Sequence, residues 1–103
     1  MIEIFDDTDY YKFNIHYINI KLTGTIAVHI LLPYNYTDLA ILDKLKLKNL
    51  QSMIVTIDGD HYTLNNGKIT KLSINSSTKK HSGANEIEVM MNFTDYYTTQ
   101  IAI

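Results

Sequence analysis

Residues 56–67, TIDGDHYTLNNG, gather the side chains best suited to holding a cation: Asp58, Asp60 and His61. Two carboxylates and an imidazole can ligate a hard or borderline ion, but an EF-hand loop runs on through a longer ligand series that closes on a glutamate, and none follows here. The same residues also describe a tight reversal, because Asp-Gly suits the two positive-φ positions of a type I′ turn. In that register Ile57 faces Asp60, Val55 faces Tyr62 and Met53 faces Leu64, which gathers Met53, Val55, Ile57, Tyr62 and Leu64 on one side. Asp60 and His61 then point to opposite faces. The expectation is a hairpin with no metal.

The other titratable groups give no stronger chemistry. His16, His29, His61 and His81 lie apart, without an HExxH motif or an i, i+4 pair. His29 interrupts an apolar strand on its less buried side, which fits a partly exposed or internally bonded ring. Glu86 and Glu88 alternate along one strand face; paired carboxylates do acid–base work only where a pocket separates their pKa values, and solvated acids are the default. There is no GxSxG elbow and no glycine-rich phosphate loop. With no cysteine, a thiol nucleophile, a disulfide and a thiolate zinc site are all excluded. The expectation is a chain that is not an enzyme, with no catalytic residues and no cofactor.

Tyrosine is the more informative residue. Tyr10 and Tyr11, Tyr34 and Tyr36, and Tyr96 and Tyr97 form three pairs at or near strand ends and loops. Tyrosine brings a large contact area at low entropy cost and is enriched in interface cores. With the acids Asp6, Asp7 and Asp9 these six residues make the candidate protein-binding set. The rings could instead plug the ends of a barrel, or stack on single-stranded bases. Base stacking also needs a basic groove. Here Lys44, Lys46 and Lys48 cluster at a helix end, Lys79 and Lys80 lie in a loop, and the net charge is −2.

Period-two alternation dominates the elements that must position these groups. At LTGTI, a three-residue connection sets Ile18, Ile20 and Leu22 against Ile30, Val28 and Ile26. Upstream, the apolar phase moves from Phe13, Ile15 and Tyr17 to Ile18, Ile20 and Leu22, so a bulge near Tyr17 and Ile18 is expected to carry the strand between packing surfaces. At Asn65-Asn66-Gly67, a three-residue loop with Gly67 in the left-handed region and a bulge would bring Leu72 and Ile74 to the face of Tyr62 and Leu64. Thr37 or Asp38 caps a helix expected at about 38–47, in which Leu39, Leu42 and Leu45 recur at helical spacing. Further on, Ile87, Val89, Met91 and Phe93 share one face and Tyr97, Thr99, Ile101 and Ile103 another, with an exposed loop, NSSTKKHSGAN, before them.

The chain has 103 residues, 46% hydrophobic and 19% charged, which suits one domain spanning 1–103. These features predict a mainly β fold: a small β-sandwich or partly open β-barrel of about seven short strands with one helix between the two β halves. The acidic start and the short apolar runs predict a soluble chain. All nine basic residues are lysine, and the richness in lysine, asparagine, isoleucine and tyrosine matches AT-rich codons. Together these suggest a phage or mobile-element protein-binding module, in the host cytoplasm or the virion, that assembles with itself or engages a host protein. The rival reading is a single-stranded nucleic-acid-binding barrel of the oligonucleotide-binding type.

Overall fold

The computed structural model describes residues 1–76 and 85–100. Expectations for Lys79, Lys80, His81, most of the NSSTKKHSGAN loop, Ile101 and Ile103 fall outside them. The chain runs β1 (Ile2–Phe5), β2 (Tyr10–Phe13), β3 (Tyr17–Lys21), β4 (Ile26–Pro33), α1 (Tyr36–Leu45), β5 (Leu50–Ile57), β6 (Asp60–Ser76) and β7 (Asn85–Gln100). The expected mainly β architecture is present, with seven strands and one helix between the β halves. All seven strands join one antiparallel sheet in the order β2-β1-β5-β6-β7-β4-β3.

The two outermost strands, β2 and β3, are consecutive in sequence and joined by only residues 14–16. Four Cα steps span at most about 14 Å. In a flat sheet, six strand spacings would hold these edges about 29 Å apart. They are also offset lengthwise: the ladder row through Phe13 meets β7 at Thr98, whereas the row through Tyr17 meets it at Glu88. The sheet must therefore curl enough to bring the end of β2 within reach of the start of β3, and since it does not close on itself it is a partly open barrel. A bulge near Tyr17 and Ile18 was the expected device; the chain instead leaves the ladder after Phe13 and crosses to the opposite edge.

Two reversals follow the residue pattern. Asp58 and Gly59 both take positive φ, and Ile57↔Asp60, Val55↔Tyr62 and Met53↔Leu64 pair as a type I′ hairpin requires. Ile18 pairs with Ile30 and Ile20 with Val28, the register of a three-residue TGT connection. The third expected reversal is absent, because β6 runs through Asn65-Asn66-Gly67 as one 17-residue strand. Asn66, not Gly67, takes the left-handed conformation at φ 55.

Gly67 is required for a different reason. A Cβ there would overlap the Phe93 ring and come within 2.7 Å of the Asn92 carbonyl oxygen. The expectation that Tyr62, Leu64, Leu72 and Ile74 share one face also fails. Leu64 pairs with Tyr96 but Leu72 with Val89, so these partners sit at opposite parity along β7. The buried positions of β6 are even at Leu64 and odd at Gly67 and Ile69, and a bulge at Thr70 then shifts the register. The pleat is broken at Asn66 and the long ribbon twists, so opposite faces of its two halves contribute to one core.

That core joins Ile2, Ile4, Phe13, Met53 and Leu64 to Val28, Ile30, Leu32, Ile87, Val89, Met91 and Phe93. The helix adds Leu42 and Leu45. It starts earlier than expected: Asn35, rather than Thr37 or Asp38, is the N-cap, accepting from the Asp38 amide at 3.1 Å. No helix among the described residues is long and apolar enough to cross a membrane.

Gly67→Ala is expected to destabilise the fold by about 1–3 kcal/mol through overpacking against Phe93. Urea denaturation checks this. The double variant Gly67→Ala/Phe93→Leu should lose less than the sum of the two single losses, as coupling between touching residues requires.

Candidate functional site

The three tyrosine pairs are not brought together. Tyr10 lies on edge strand β2, where its ring stacks on Phe5 at 5.0 Å, its hydroxyl donates to Glu3 at 3.3 Å and Lys12 sits 5.7 Å from the ring centroid. Tyr11 is half-buried; burial raises its phenol pKa, and the charges of Asp9 and Asp6 add to the rise. Tyr34 and Tyr36 flank the helix N-cap near the start of β7, with the Tyr34 amide donating to the Asn85 carbonyl at 3.2 Å. Tyr96 and Tyr97 lie on β7, four strand spacings or about 19 Å from β2.

The acids between β1 and β2 also divide. Asp6 turns inward, and its carboxylate accepts from the amides of Thr8 at 2.8 Å and Asp9 at 2.6 Å, with the Lys48 ammonium 3.4 Å away. Those two backbone hydrogen bonds, reinforced by Lys48, lower its pKa to about 2. Asp6 fixes this turn and belongs to no exposed acidic patch; Asp7 and Asp9 remain at the surface. His61 is tied to the Thr56 hydroxyl at 2.9 Å. Among the described residues, no three histidine, aspartate or glutamate side chains converge as metal ligands.

A cluster that residue spacing did not reveal lies across β4, β6 and β7. The Glu88 carboxylate meets His29 Nε2 at 2.8 Å and Lys71 Nζ at 3.2 Å, and accepts from the Ser73 hydroxyl at 3.3 Å. Tyr17 packs edge-on against His29 at 5.5 Å. His29 is the main cause of a Glu88 pKa lowered to about 2, with Lys71 and Asn75 assisting against burial. One strand position pair away, Glu86 is only 6% exposed and is held by His16. These glutamates are therefore not the solvated acids that alternation suggested. The sequence signs were the pair Glu86 and Glu88 and the reading of His29 as partly exposed or internally bonded, which holds; which groups meet depends on the β4–β7 register.

Chemically, Glu88 is locked as an anion and a weak proton acceptor. The hydroxyl in its cluster, Ser73, donates to the carboxylate and not to the imidazole.

The remaining feature is a backbone one. β4 pairs with β7 only from Ile26↔Phe93 to Pro33↔Glu86, whereas β6 pairs with β7 out to Asp60↔Gln100. Residues 94–100 therefore have β6 on one side and, among the described residues, no strand on the other. Asn65 donates to the Asp95 carboxylate at 3.0 Å, and the Thr94 hydroxyl donates to the Asn65 carbonyl at 3.1 Å. Tyr96 and Tyr97 are 41% and 56% exposed on this edge. No protein-family model, curated protein or solved structure matches the chain.

The carboxylate pKa values set an acid limit on stability. Glu88 titrates at about 2 when folded against 4.5 ordinarily, and Asp6 at about 2 against 3.8. Their stabilisation is complete above the ordinary values and is lost as pH falls towards the folded ones. Urea midpoints should therefore decline as the pH is lowered from 4.5 to about 2, and Glu88→Gln should make this decline shallower. An unchanged slope in that variant would refute the assignment.

Proposed function

We propose that this chain is a non-enzymatic protein-binding module of phage or mobile-element origin. It acts in the virion, as a tail, baseplate or head-completion component, or in the host cytoplasm as a small inhibitor of a host protein. What supports binding is one observation above the others: exposed tyrosines on a strand edge with no strand partner among the described residues. Extended segments add to such edges through main-chain hydrogen bonds, while flanking side chains select the partner. Tyr96 and Tyr97 suit that role, since both are exposed and their rings offer area with few rotatable bonds.

The non-catalytic half of the reading draws on the His29–Glu88 cluster, whose carboxylate is held ionised by neighbours that also occupy its oxygens. The phage assignment draws on lysine-only basicity and on an abundance of lysine, asparagine, isoleucine and tyrosine, residues with AT-rich codons, in a compact β domain.

The test is co-purification of the full chain from its native host, set beside a variant carrying Tyr96→Ser and Tyr97→Ser. These exposed positions tolerate serine, so circular dichroism and the Tm should hardly change. Affinity for the recovered partner should fall about tenfold or more, the loss expected when interface-core aromatics are removed. Undiminished binding by the variant would remove these tyrosines from the interface.

A further inference from the structure

Four strand edges lack a strand partner among the described residues: the outermost strands β2 and β3, and, because β6 and β7 outrun their neighbours, residues 68–76 of β6 and residues 94–100 of β7. An open edge invites pairing with another chain, and soluble proteins suppress this with short strands, lysine, proline or bulges. Three of the four edges carry such devices. β2 has four residues and includes Lys12, β3 has five and includes Lys21, and the β6 edge carries Lys68, Lys71 and the bulge at Thr70. Residues 94–100, TDYYTTQ, contain neither lysine nor proline, and their ladder to β6 has no register shift. Their single charge, Asp95, is bonded to Asn65 of the neighbouring strand.

We propose that this edge pairs with the same edge of a second copy, antiparallel about a two-fold axis at Tyr97. The proposal rests on the protein-binding reading and names its partner. The sequence of the edge favours a second copy. An antiparallel pair related by a two-fold is self-complementary, and centring it on Tyr97 sets the more exposed of the two tyrosines on the axis. In that register Asp95 faces Thr99 of the other copy, so no charge meets its like. Tyr97 faces its own counterpart, and Tyr96 faces Thr98. Each five-strand half, β2-β1-β5-β6-β7, then continues into its mate as one ten-stranded sheet.

A residue on a two-fold axis meets itself, and that gives the decisive test. In sedimentation velocity the full chain should show a concentration-dependent monomer–dimer equilibrium. Tyr97→Lys and Tyr97→Glu, each alone, should raise the dimer Kd by about tenfold or more, since like charges would meet on the axis. Mixing the two variants should restore a dimer containing one of each. Should either variant misfold, hydrogen exchange on the unmodified chain still decides: amides within 94–100 should gain protection as concentration rises, and those of β2 and β3 should not.

A chain that stays monomeric at millimolar concentration overturns the proposal, and so does a dimer indifferent to both variants. If that monomer still captures a host partner through Tyr96 and Tyr97, the second copy is wrong while protein binding stands. A dimer that engages nothing else supports the second copy and removes the inhibitor role.

Discussion

Three residues, Asn14, Ile15 and His16, set the shape of this molecule. They connect strands that hydrogen bonding places at opposite ends of a seven-stranded sheet. A link of that length cannot cross a flat sheet, so curvature is imposed by connectivity before side-chain packing is considered. The link is itself anchored. The His16 amide donates to the Leu31 carbonyl at 3.0 Å, the His16 ring meets the buried Glu86, and Ile15 packs against the core. Glu86 is thus accounted for as part of the clasp that holds the curl, which explains why a carboxylate is buried near the start of β7.

Curling places its own demand on the central ribbon. β6 and β7 pass through both halves of the barrel, and the side that faces inward must change along their length. The device is local: Asn66 in a left-handed conformation, Gly67 without a side chain where the Phe93 ring presses in, and a bulge at Thr70. These three features occupy five consecutive positions at the level where β4 and β5 both stop pairing with the ribbon.

This locality explains what could be read from residues alone. Asp58-Gly59 and Thr23-Gly24-Thr25 were legible because a hairpin register is set by its turn and the alternation beside it. Asn65-Asn66-Gly67 carries the same turn chemistry but serves a bend inside a continuous strand, and the choice between these depends on Phe93, 26 positions away. The helix was legible in its leucines and misplaced at its start, since Asn35 competes with Thr37 and Asp38 as a cap and only the backbone decides. For the candidate site, the exposure of Tyr96 and Tyr97 could be inferred from a polar, aromatic strand. The His29–Glu88 cluster could not, because it exists only through the β4–β7 register. Asp6 looked like one of three surface acids, and it is the two amides after it that draw it inward.

The offset that lets the sheet curl is also what opens its edges. Had β4 and β5 matched the ribbon in length, every inner strand would be paired along its whole run and only β2 and β3 would face outward. But strands that long would hold the two halves in one broad sheet, and the three-residue link could not then reach. Shortening β4 and β5 from opposite sides lets the ribbon twist and the edges approach, and leaves two stretches, 68–76 and 94–100, with a strand on one side only among the described residues. The lysines are distributed unevenly over the result. They guard the stretch beside the helix as well as β2 and β3, and leave the tyrosine-bearing stretch bare, so the curl that builds the core also sets apart the one edge on which pairing with another chain is least opposed.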